Sequence, residues 1–236
     1  MIFAIGSAGS ALAAKAATST IPIVFAMGGD PVDLGLVASL ARPGSNMTGV
    51  TFLASELTAK RLELARDLLP KAKRVAYLGN PANLSLKSNL RNLQEAARSL
   101  GLQVAPFTAS TVEQIAAAFA AMAQAQVDAL LVQAEPLFNT ERDRIVQMAA
   151  GAGLPGIFGN HEFPKRGGLL SYSADYNDSI RQAGIYAGRI LKGEKPAELP
   201  VLQPTKFELV LNLKTAQTLG LPISREFLLR ADEVIE

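Results

Sequence analysis

The sequence predicts an α/β fold built on parallel β-sheets. Helical and extended segments alternate along most of the 236 residues. The extended segments are short apolar runs that do not alternate with polar residues, which is typical of strands that helices cover on both faces. Residues 162–236 break this rhythm with extended segments late in the chain. That change favours two lobes and a chain that recrosses between them.

Each element follows from the spacing of apolar residues and from the positions of Gly, Pro and capping residues. We expect central strands at residues 2–5, 21–27, 47–52, 74–78, 102–107, 129–133, 155–158 and 169–173, and a further strand at 206–213. We expect helices at residues 10–18, after Pro31 as far as Leu40, from an N-cap at Ser55 to Pro70, after Asn83 as far as Leu100, and at 111–124, 140–150, 177–191, 214–219 and 224–231. Residues 162–168 are expected to form a short turn, and residues 200–204 an extended connector.

Composition and charge exclude several classes of function. The chain has no cysteine, which excludes disulfides, cysteine-ligated metals and thiol catalysis. Its formal charge of +2, with scattered Lys and Arg, argues against a nucleic-acid surface. No segment approaches the ~18 uninterrupted apolar residues of a membrane span. The single histidine and the absence of a Gly-x-Ser-x-Gly motif leave little for catalysis, so we expect neither enzymatic activity nor a cofactor.

Three turns share one pattern, in which a polar residue precedes proline at the end of a predicted strand. They are Asp30-Pro31, Asn80-Pro81 and Glu135-Pro136. Proline suits the first helical turn and holds the residue before it extended, so capping explains each turn taken singly. Glu is a poor N-cap, and capping therefore explains Glu135 least well. Ligands bind outside the carboxyl ends of open parallel sheets, so the three turns together favour a cleft for a small molecule.

Further candidate contacts lie near the same strand ends. Ser7 and Ser10 belong to a Gly/Ser turn whose hydroxyls and backbone N–H groups suit an anion, with a plain tight turn as the alternative. Asn83 and Asn160 are candidate hydrogen-bonding partners of a ligand, and capping is the alternative for Asn83. The candidates from the strand end before Asp30 are Met27 and Gly28.

Four residues near these turns are candidates for charged contacts or metal ligation: Asp30, Asp33, Glu135 and His161. Asp30 and Glu135 are expected to receive an ammonium group of the ligand. Asp30 and Asp33 as a metal pair are less favoured than an N-cap with a first-turn acid. His161 has no second His or Cys near it, so a turn histidine is favoured over a metal ligand. We therefore expect no metal site.

Short motifs spread over the whole chain carry a family resemblance. They are Ile21-Pro22-Ile23-Val24-Phe25, Gly29-Asp30-Pro31-Val32, Leu40-Ala41-Arg42-Pro43-Gly44, Asn46-Met47-Thr48-Gly49-Val50, Gly168-Leu169-Leu170-Ser171-Tyr172, residues 184–191, and Gln203-Pro204-Thr205-Lys206-Phe207-Glu208-Leu209-Val210. In combination they resemble the solute-binding proteins of ABC transporters, in the branch that includes tryptophan-binding members.

The resemblance implies a type I periplasmic-binding-protein fold, with two Rossmann-like lobes joined by three crossings. Lobe 1 would comprise residues 1–52 and 174–203, and lobe 2 residues 53–173 and 204–236. It implies a periplasmic component of an ABC importer that captures a small amino-acid-like or carboxylated solute between the lobes and presents it to a membrane permease. It favours solute contact at the turn that contains Ser7. Tyr172, at a crossing, would be either a cleft aromatic or part of the hinge packing.

The resemblance also carries an expectation about the start of the chain. Family members have an export signal and about two further βα units before the strand that matches residues 2–5, so lobe 1 is expected to be incomplete at its N-terminus. Ile2, Phe3 and Ile5 would then face an unfilled side, as an aggregation-prone edge or a homodimer surface. Two alternatives stay open: a cytoplasmic ligand-sensing lobe of the same fold, and an α/β enzyme that uses Asp30 or Glu135.

Overall fold

A computed structural model of the chain describes residues 1–54 and 56–236, so the predicted N-cap Ser55 lies outside the described residues. The strands are Ile2–Ile5 (β1), Ile23–Met27 (β2), Met47–Thr51 (β3), Arg74–Gly79 (β4), Gln103–Thr108 (β5), Ala129–Val132 (β6), Gly156–Phe158 (β7), Leu170–Ala174 (β8), Phe207–Asn212 (β9) and Glu233–Ile235 (β10). The α-helices are Ala8–Ala17 (α1), Glu56–Leu68 (α2), Leu86–Leu100 (α3), Val112–Gln124 (α4), Pro136–Thr140 (α5), Arg142–Gly151 (α6), Glu162–Lys165 (α7), Tyr176–Leu191 (α8), Leu213–Thr218 (α9) and Arg225–Leu228 (α10).

The chain forms two compact units. Unit 1 comprises Met1–Ser55 and Ala174–Phe207, and unit 2 comprises Glu56–Ser173 and Glu208–Glu236. The chain therefore passes from one unit to the other three times. Across the described residues, no helix is long and apolar enough to cross a membrane.

Unit 1 is built on a three-stranded parallel sheet in the order β1-β2-β3. The central strand β2 is buried along its whole length because helices cover both of its faces. Phe25 packs on the side of α1 with Ala11, whereas Ala26 packs on the side of α8 with Ala183. This two-sided burial explains why β2 is a continuous apolar run in the sequence.

Unit 2 contains a seven-stranded sheet in the order β10-β9-β8-β7-β6-β4-β5. Strands β4 to β8 pair in parallel, as do β9 and β10. The amide of Asn212 donates to the carbonyl of Leu169 at 2.9 Å, which places the end of β9 beside the start of β8. Alternate residues of β4 again enter two cores, with Tyr77 on the face of α2 and α3, and Leu78 on the face of α4 and α6. The predicted α/β class with largely parallel sheets is confirmed.

Two strands that their apolar content predicts to be central lie at sheet edges, although for β1 the family resemblance had already indicated an exposed edge. β1 is an edge strand of unit 1, and both Phe3 and Ile5 are exposed on it. β5 is an edge strand of unit 2, where Pro106 is tolerated because one side of the strand needs no hydrogen bonds. Apolar content alone does not distinguish such strands from central ones.

The helix predicted after Asp30 is wrong. The amides of Leu34 and Leu36 donate to the carbonyls of Asp30 and Pro31, at 3.1 and 2.8 Å, and form a single turn. Gly35 has a φ of +65°, a left-handed conformation that ends helices. The left-handed Gly35 therefore ends the helical turn before a second turn can form.

Other helix boundaries also differ from the prediction. The helix expected at residues 140–150 begins earlier, as α5 followed directly by α6. The turn after Asn80 does not open a helix at once, because α3 begins only at Leu86. Residues 162–168, expected as a turn, contain the short helix α7. The last predicted helix ends at Leu228, and the chain then adds β10, in which Val234 pairs with Leu211 of β9.

Candidate functional site

Three polar residues meet at the carboxyl ends of β4 and β6 in unit 2. The side-chain amide of Asn80 donates from Nδ2 to Glu135 Oε1 at 2.9 Å, and the backbone amide of Asn80 donates to Gln133 Oε1 at 2.8 Å. All three side chains are buried. Because neighbouring parallel strands end at the same edge, the strand order itself brings these residues together.

Glu135 is the N-cap of α5, contrary to the expectation that it would cap poorly. Its Oε2 accepts hydrogen bonds from the amides of Leu137 and Phe138, at 2.7 and 3.4 Å. Pro136 occupies the first helical turn, where its missing donor costs nothing. With Oε1 bound to Asn80, both carboxylate oxygens have protein partners, so Glu135 serves to hold the Asn80 turn.

Gln133 belongs to this polar cluster but was not among the residues predicted from the sequence. It directly follows β6, and its side chain is only 3% exposed. Its Oε1 accepts from Asn80, whereas its Nε2 is buried and has no hydrogen-bond partner among the described residues. The only sign of it in the sequence is that Gln133 is a polar residue at the end of an otherwise apolar predicted strand, at residues 129–133.

Two glycines flank Gln133 on the same edge of the sheet. A Cβ added to Gly79 would lie 3.5 Å from Gln133 Oε1 and would overlap the side chain of Leu86. A Cβ added to Gly159 would lie 3.0 Å from the Arg61 guanidinium carbon and 2.9 Å from Ala134 Cβ. The absence of side chains at both positions lets Leu86 and Arg61 approach the strand ends on either side of Gln133.

Arg61 of α2 is the largest fully buried side chain of the described residues, at 1% exposure. Its Nε donates to the carbonyl of Tyr172 at 2.7 Å, and its Nη1 lies 3.4 Å from Thr58 Oγ1. Burial lowers the pKa of the guanidinium to about 10, and Tyr77 and Tyr172 oppose that shift. The side chain is still a cation at neutral pH. It therefore supplies positive charge and hydrogen-bond donors behind Gly159.

The remaining polar residues of this edge form local turns. Asn80 Oδ1 accepts from the amide of Ala82 at 2.9 Å, and Asn83 Oδ1 accepts from Ser85 at 3.0 Å. Asn160 Oδ1 accepts from Glu162 at 2.9 Å, and the Asn160 side chain is half-buried. The oxygen atoms of these amides thus accept from backbone amides two residues further on, which makes them turn-forming residues; the N-caps of α3 and α7 are Ser85 and His161 instead.

His161 lies between two carboxylates of unit 2. Its Nε2 is 3.2 Å from Glu162 and its Nδ1 is 3.7 Å from Glu208. Among the residues that the structure describes, no group of three or more His, Cys, Asp or Glu side chains could hold a metal ion.

In unit 1, the predicted serines form the capped start of α1. Ser7 is the N-cap, and its Oγ accepts from the amide of Ser10 at 3.2 Å. The hydroxyl of Ser10 donates back to the carbonyl of Ser7 at 2.8 Å. Both side chains are half-buried. The turn therefore has the capped form that a βα connection requires, and it leaves both residues partly accessible.

The candidates at the end of β2 differ in accessibility. Asp30 Oδ1 accepts from the amides of Val32 and Asp33, at 2.7 and 3.3 Å, so Asp30 caps the following turn. Gly28 is half-buried, and its carbonyl accepts from Ala54 at 3.2 Å. Met27 is fully buried in the core of unit 1, which leaves its side chain no surface for a ligand. Met27, predicted as a ligand contact, is therefore not among the accessible residues of this strand end.

An aromatic pair at the end of β3 was also not identified from the sequence. The rings of Phe52 and Tyr176 lie 5.3 Å apart between centroids, with an interplanar angle of 54°. Asp175 caps α8 through the amide of Asp178 and thereby fixes Tyr176 at the first helical position. Tyr176 is 45% exposed. It is an accessible aromatic ring supported by a second ring.

Comparison with known proteins places these features in a family. The family model described as ABC transporter substrate binding protein matches residues 1–235. A tyrosine-binding protein of Clostridioides difficile (strain R20291) is 29% identical over 221 residues, which make up 94% of this chain and 63% of that protein. The chain thus spans less than two thirds of that relative's length.

Solved structures agree with this assignment. The ABC domain from Streptococcus pneumonia in complex with L-Trp has a TM-score of 0.89 at 28% identity, over 100% of this chain and 80% of that chain. A conserved domain protein from Vibrio cholerae o1 biovar eltor str. n16961 has a TM-score of 0.91 at 29% identity, over 98% of this chain and 77% of that chain. The chain belongs to the ABC transporter substrate-binding protein family and has its type I periplasmic-binding-protein fold.

Proposed function

We propose that the chain binds an aromatic amino acid, or a close carboxylated analogue, as the solute-binding component of an ABC importer. The observation that carries the proposal is the gathering of buried polar groups at the strand ends of unit 2, around Asn80, Gln133 and Glu135. Strand ends of this kind are where open parallel sheets bind small molecules. The two relatives described as binding tyrosine and L-Trp support the choice of solute.

The aromatic pair of unit 1 supports the same class of solute. Tyr176 offers an accessible ring, and Phe52 behind it limits the motion of that ring. Aromatic pairs in offset or tilted arrangements contribute about 0.5–1.5 kcal/mol beyond the burial of area. An indole or phenol side chain is a suitable partner for such a surface. An aliphatic solute would gain less from it.

Several residues are proposed to contact the solute. They are the accessible or half-buried members of the predicted set: Ser7, Ser10, Gly28, Asp30, Asn83, Asn160 and Tyr172, together with Asn80. Glu135 is assigned a positioning role instead, because α5 and Asn80 occupy its carboxylate. Asp30 can offer Oδ2 to the ammonium group, since the turn hydrogen bonds from Val32 and Asp33 go to Oδ1.

We further propose that the protein works outside the cytoplasm with a membrane permease, as the family assignment implies. The proposed role involves no reaction of the solute. Pairing of two copies through β1 also stays a prediction, and the exposed Phe3 and Ile5 on that edge are what supports it.

A thermal-unfolding screen tests the proposed solute class. Compounds that bind only the folded state stabilise it by RT ln(1 + [L]/Kd), so Tm rises with the logarithm of ligand concentration once that concentration exceeds Kd. L-tryptophan, L-tyrosine and L-phenylalanine are expected to raise Tm, with smaller shifts for L-leucine and none for L-lysine. No shift with any aromatic amino acid, from a chain that unfolds cooperatively, would refute the proposal. Larger shifts with L-leucine would refute the aromatic preference alone.

A further inference from the structure

One buried donor at the proposed solute-binding edge has no partner. Gln133 is 3% exposed, its Oε1 is bound by the amide of Asn80, and its Nε2 has no hydrogen bond within the part of the chain that the structure describes. Buried polar groups in folded proteins are nearly always hydrogen-bonded, because an unmet donor loses its water without compensation. A buried donor without a partner at a strand end is suited to a hydrogen-bond acceptor on a bound ligand.

The neighbouring side chains do not offer that acceptor. Glu135 is occupied by α5 and by Asn80, and Asn80 Oδ1 is occupied by Ala82. Gly79 and Gly159, on the two sides of Gln133, contribute no side chain at all. Arg61, which approaches Gly159, is a donor and not an acceptor. This part of the sheet edge therefore presents hydrogen-bond donors, namely Gln133 Nε2 and the Arg61 guanidinium.

We propose that Gln133 is a solute-binding residue whose Nε2 donates to the carboxylate of the solute, so that unit 2 holds the acceptor end of an amino acid. This inference rests on the proposed function and adds to it an orientation. An amide NH2 group only donates, so it favours a carboxylate over an ammonium group. Nε2 is buried from solvent. Contact therefore requires a local side-chain shift, and binding then supplies the missing hydrogen bond.

The experiment compares amino acids with the amines that lack their carboxylate. Calorimetric titrations of the 236-residue chain with L-tryptophan, L-tyrosine, tryptamine and tyramine are run for the wild type and two variants. Gln133→Glu keeps the acceptor for Asn80 and replaces the donor with an oxygen. Gln133→Met removes the donor without adding charge, and it tests the proposal if the Glu variant does not fold.

The expected result is selective. Gln133→Met should weaken binding of the two amino acids about 10- to 100-fold, which corresponds to the loss of one hydrogen bond to a charged group, and Gln133→Glu should weaken it more through repulsion. Affinity for the two amines should change less than twofold. Ser171→Ala is the matched control, because it also removes a buried side-chain atom without a partner, on the opposite face of the sheet beside Phe158. It should leave all four affinities unchanged.

Three outcomes would overturn the inference. Unchanged amino-acid affinity in both Gln133 variants, with a wild type that binds, would refute the role of Gln133 alone. Equal losses for amino acids and amines would refute contact with the carboxylate. A wild-type chain that folds but binds none of the four compounds would refute the proposed function and this inference with it.

Discussion

Gly159→Ala is the substitution that most sharply tests the packing behind the candidate site. The added Cβ would lie 2.9 Å from Ala134 Cβ, which is fixed to the backbone and cannot rotate away. It would lie 3.0 Å from Arg61 Cζ and Nη2, and Arg61 is fully buried. Something must therefore shift, and the guanidinium is the movable partner.

The cost can be worked out from these contacts. Overpacking a filled core typically costs about 1–3 kcal/mol. Moving Arg61 also stretches its 2.7 Å hydrogen bond to the carbonyl of Tyr172, and a hydrogen bond from a charged donor is worth about 1.5–3 kcal/mol. Because the guanidinium can yield partly in place, we expect a total loss of about 3 kcal/mol. For a protein of this size, that loss corresponds to a fall in Tm of about 6–12 °C.

The assay is thermal and urea unfolding, followed by circular dichroism. Gly184→Ala is the control, since Gly184 lies inside α8 and an added Cβ there meets no atom within 4 Å. Alanine is the better helix former, so this variant should gain about 0.5–1 kcal/mol. If Gly159→Ala were as stable as the wild type, Arg61 could not lie over Gly159 as described.

Three further predictions concern a cap, a titrating group and the aromatic pair. Glu135→Ala should lower the free energy of unfolding in urea by about 2–3 kcal/mol, because α5 loses its N-cap and the buried side-chain amide of Asn80 loses its acceptor. A decrease of less than about 0.5 kcal/mol would contradict this. The backbone amides of Arg74 and Lys73 lower the pKa of Asp128, so Asp128→Asn should cost about 1 kcal/mol at pH 7. That difference should hold above the unfolded pKa of about 3.9 and vanish as the pH falls through the lower folded value, whereas a constant difference between pH 7 and 2 would refute it. Tyr176→Ala should weaken L-tryptophan binding about 5- to 10-fold in calorimetric titration. Leu191→Ala, which changes another exposed residue of the same helix, should leave that affinity unchanged. If Tyr176→Ala bound L-tryptophan as tightly as the wild type, Tyr176 would not contact the solute.

Much of the fold follows from local patterns in the sequence. β2 and β6 are wholly apolar because helices cover both of their faces, and this burial is visible directly in the residue types. The strand β10 is different, since Glu233 and Val234 are exposed and the strand exists through its pairing with β9. Pairing between distant segments leaves little trace in a short exposed run. The single turn after Asp30 likewise depends on one glycine in a left-handed conformation.

The clustering of polar residues at these strand ends was predictable from the sequence, but their hydrogen bonds were not. Parallel strands and polar turns indicate where small molecules bind, and Asn80 and Glu135 do meet at one edge. Which polar atoms are already satisfied depends on contacts across the sheet, as between Asn80 and Gln133. The pairing of Phe52 with Tyr176 joins residues far apart in the chain, and no local motif encodes it.

Binding of an aromatic amino acid is the property on which the proposed function depends. Its most direct test is a calorimetric titration of the folded chain with L-tryptophan at neutral pH. The account predicts saturable heat with one molecule bound per chain and a Kd of about 100 μM or tighter, which is a binding free energy of at least about 5.5 kcal/mol. A folded chain that gives no saturable heat with L-tryptophan, L-tyrosine or L-phenylalanine would contradict it.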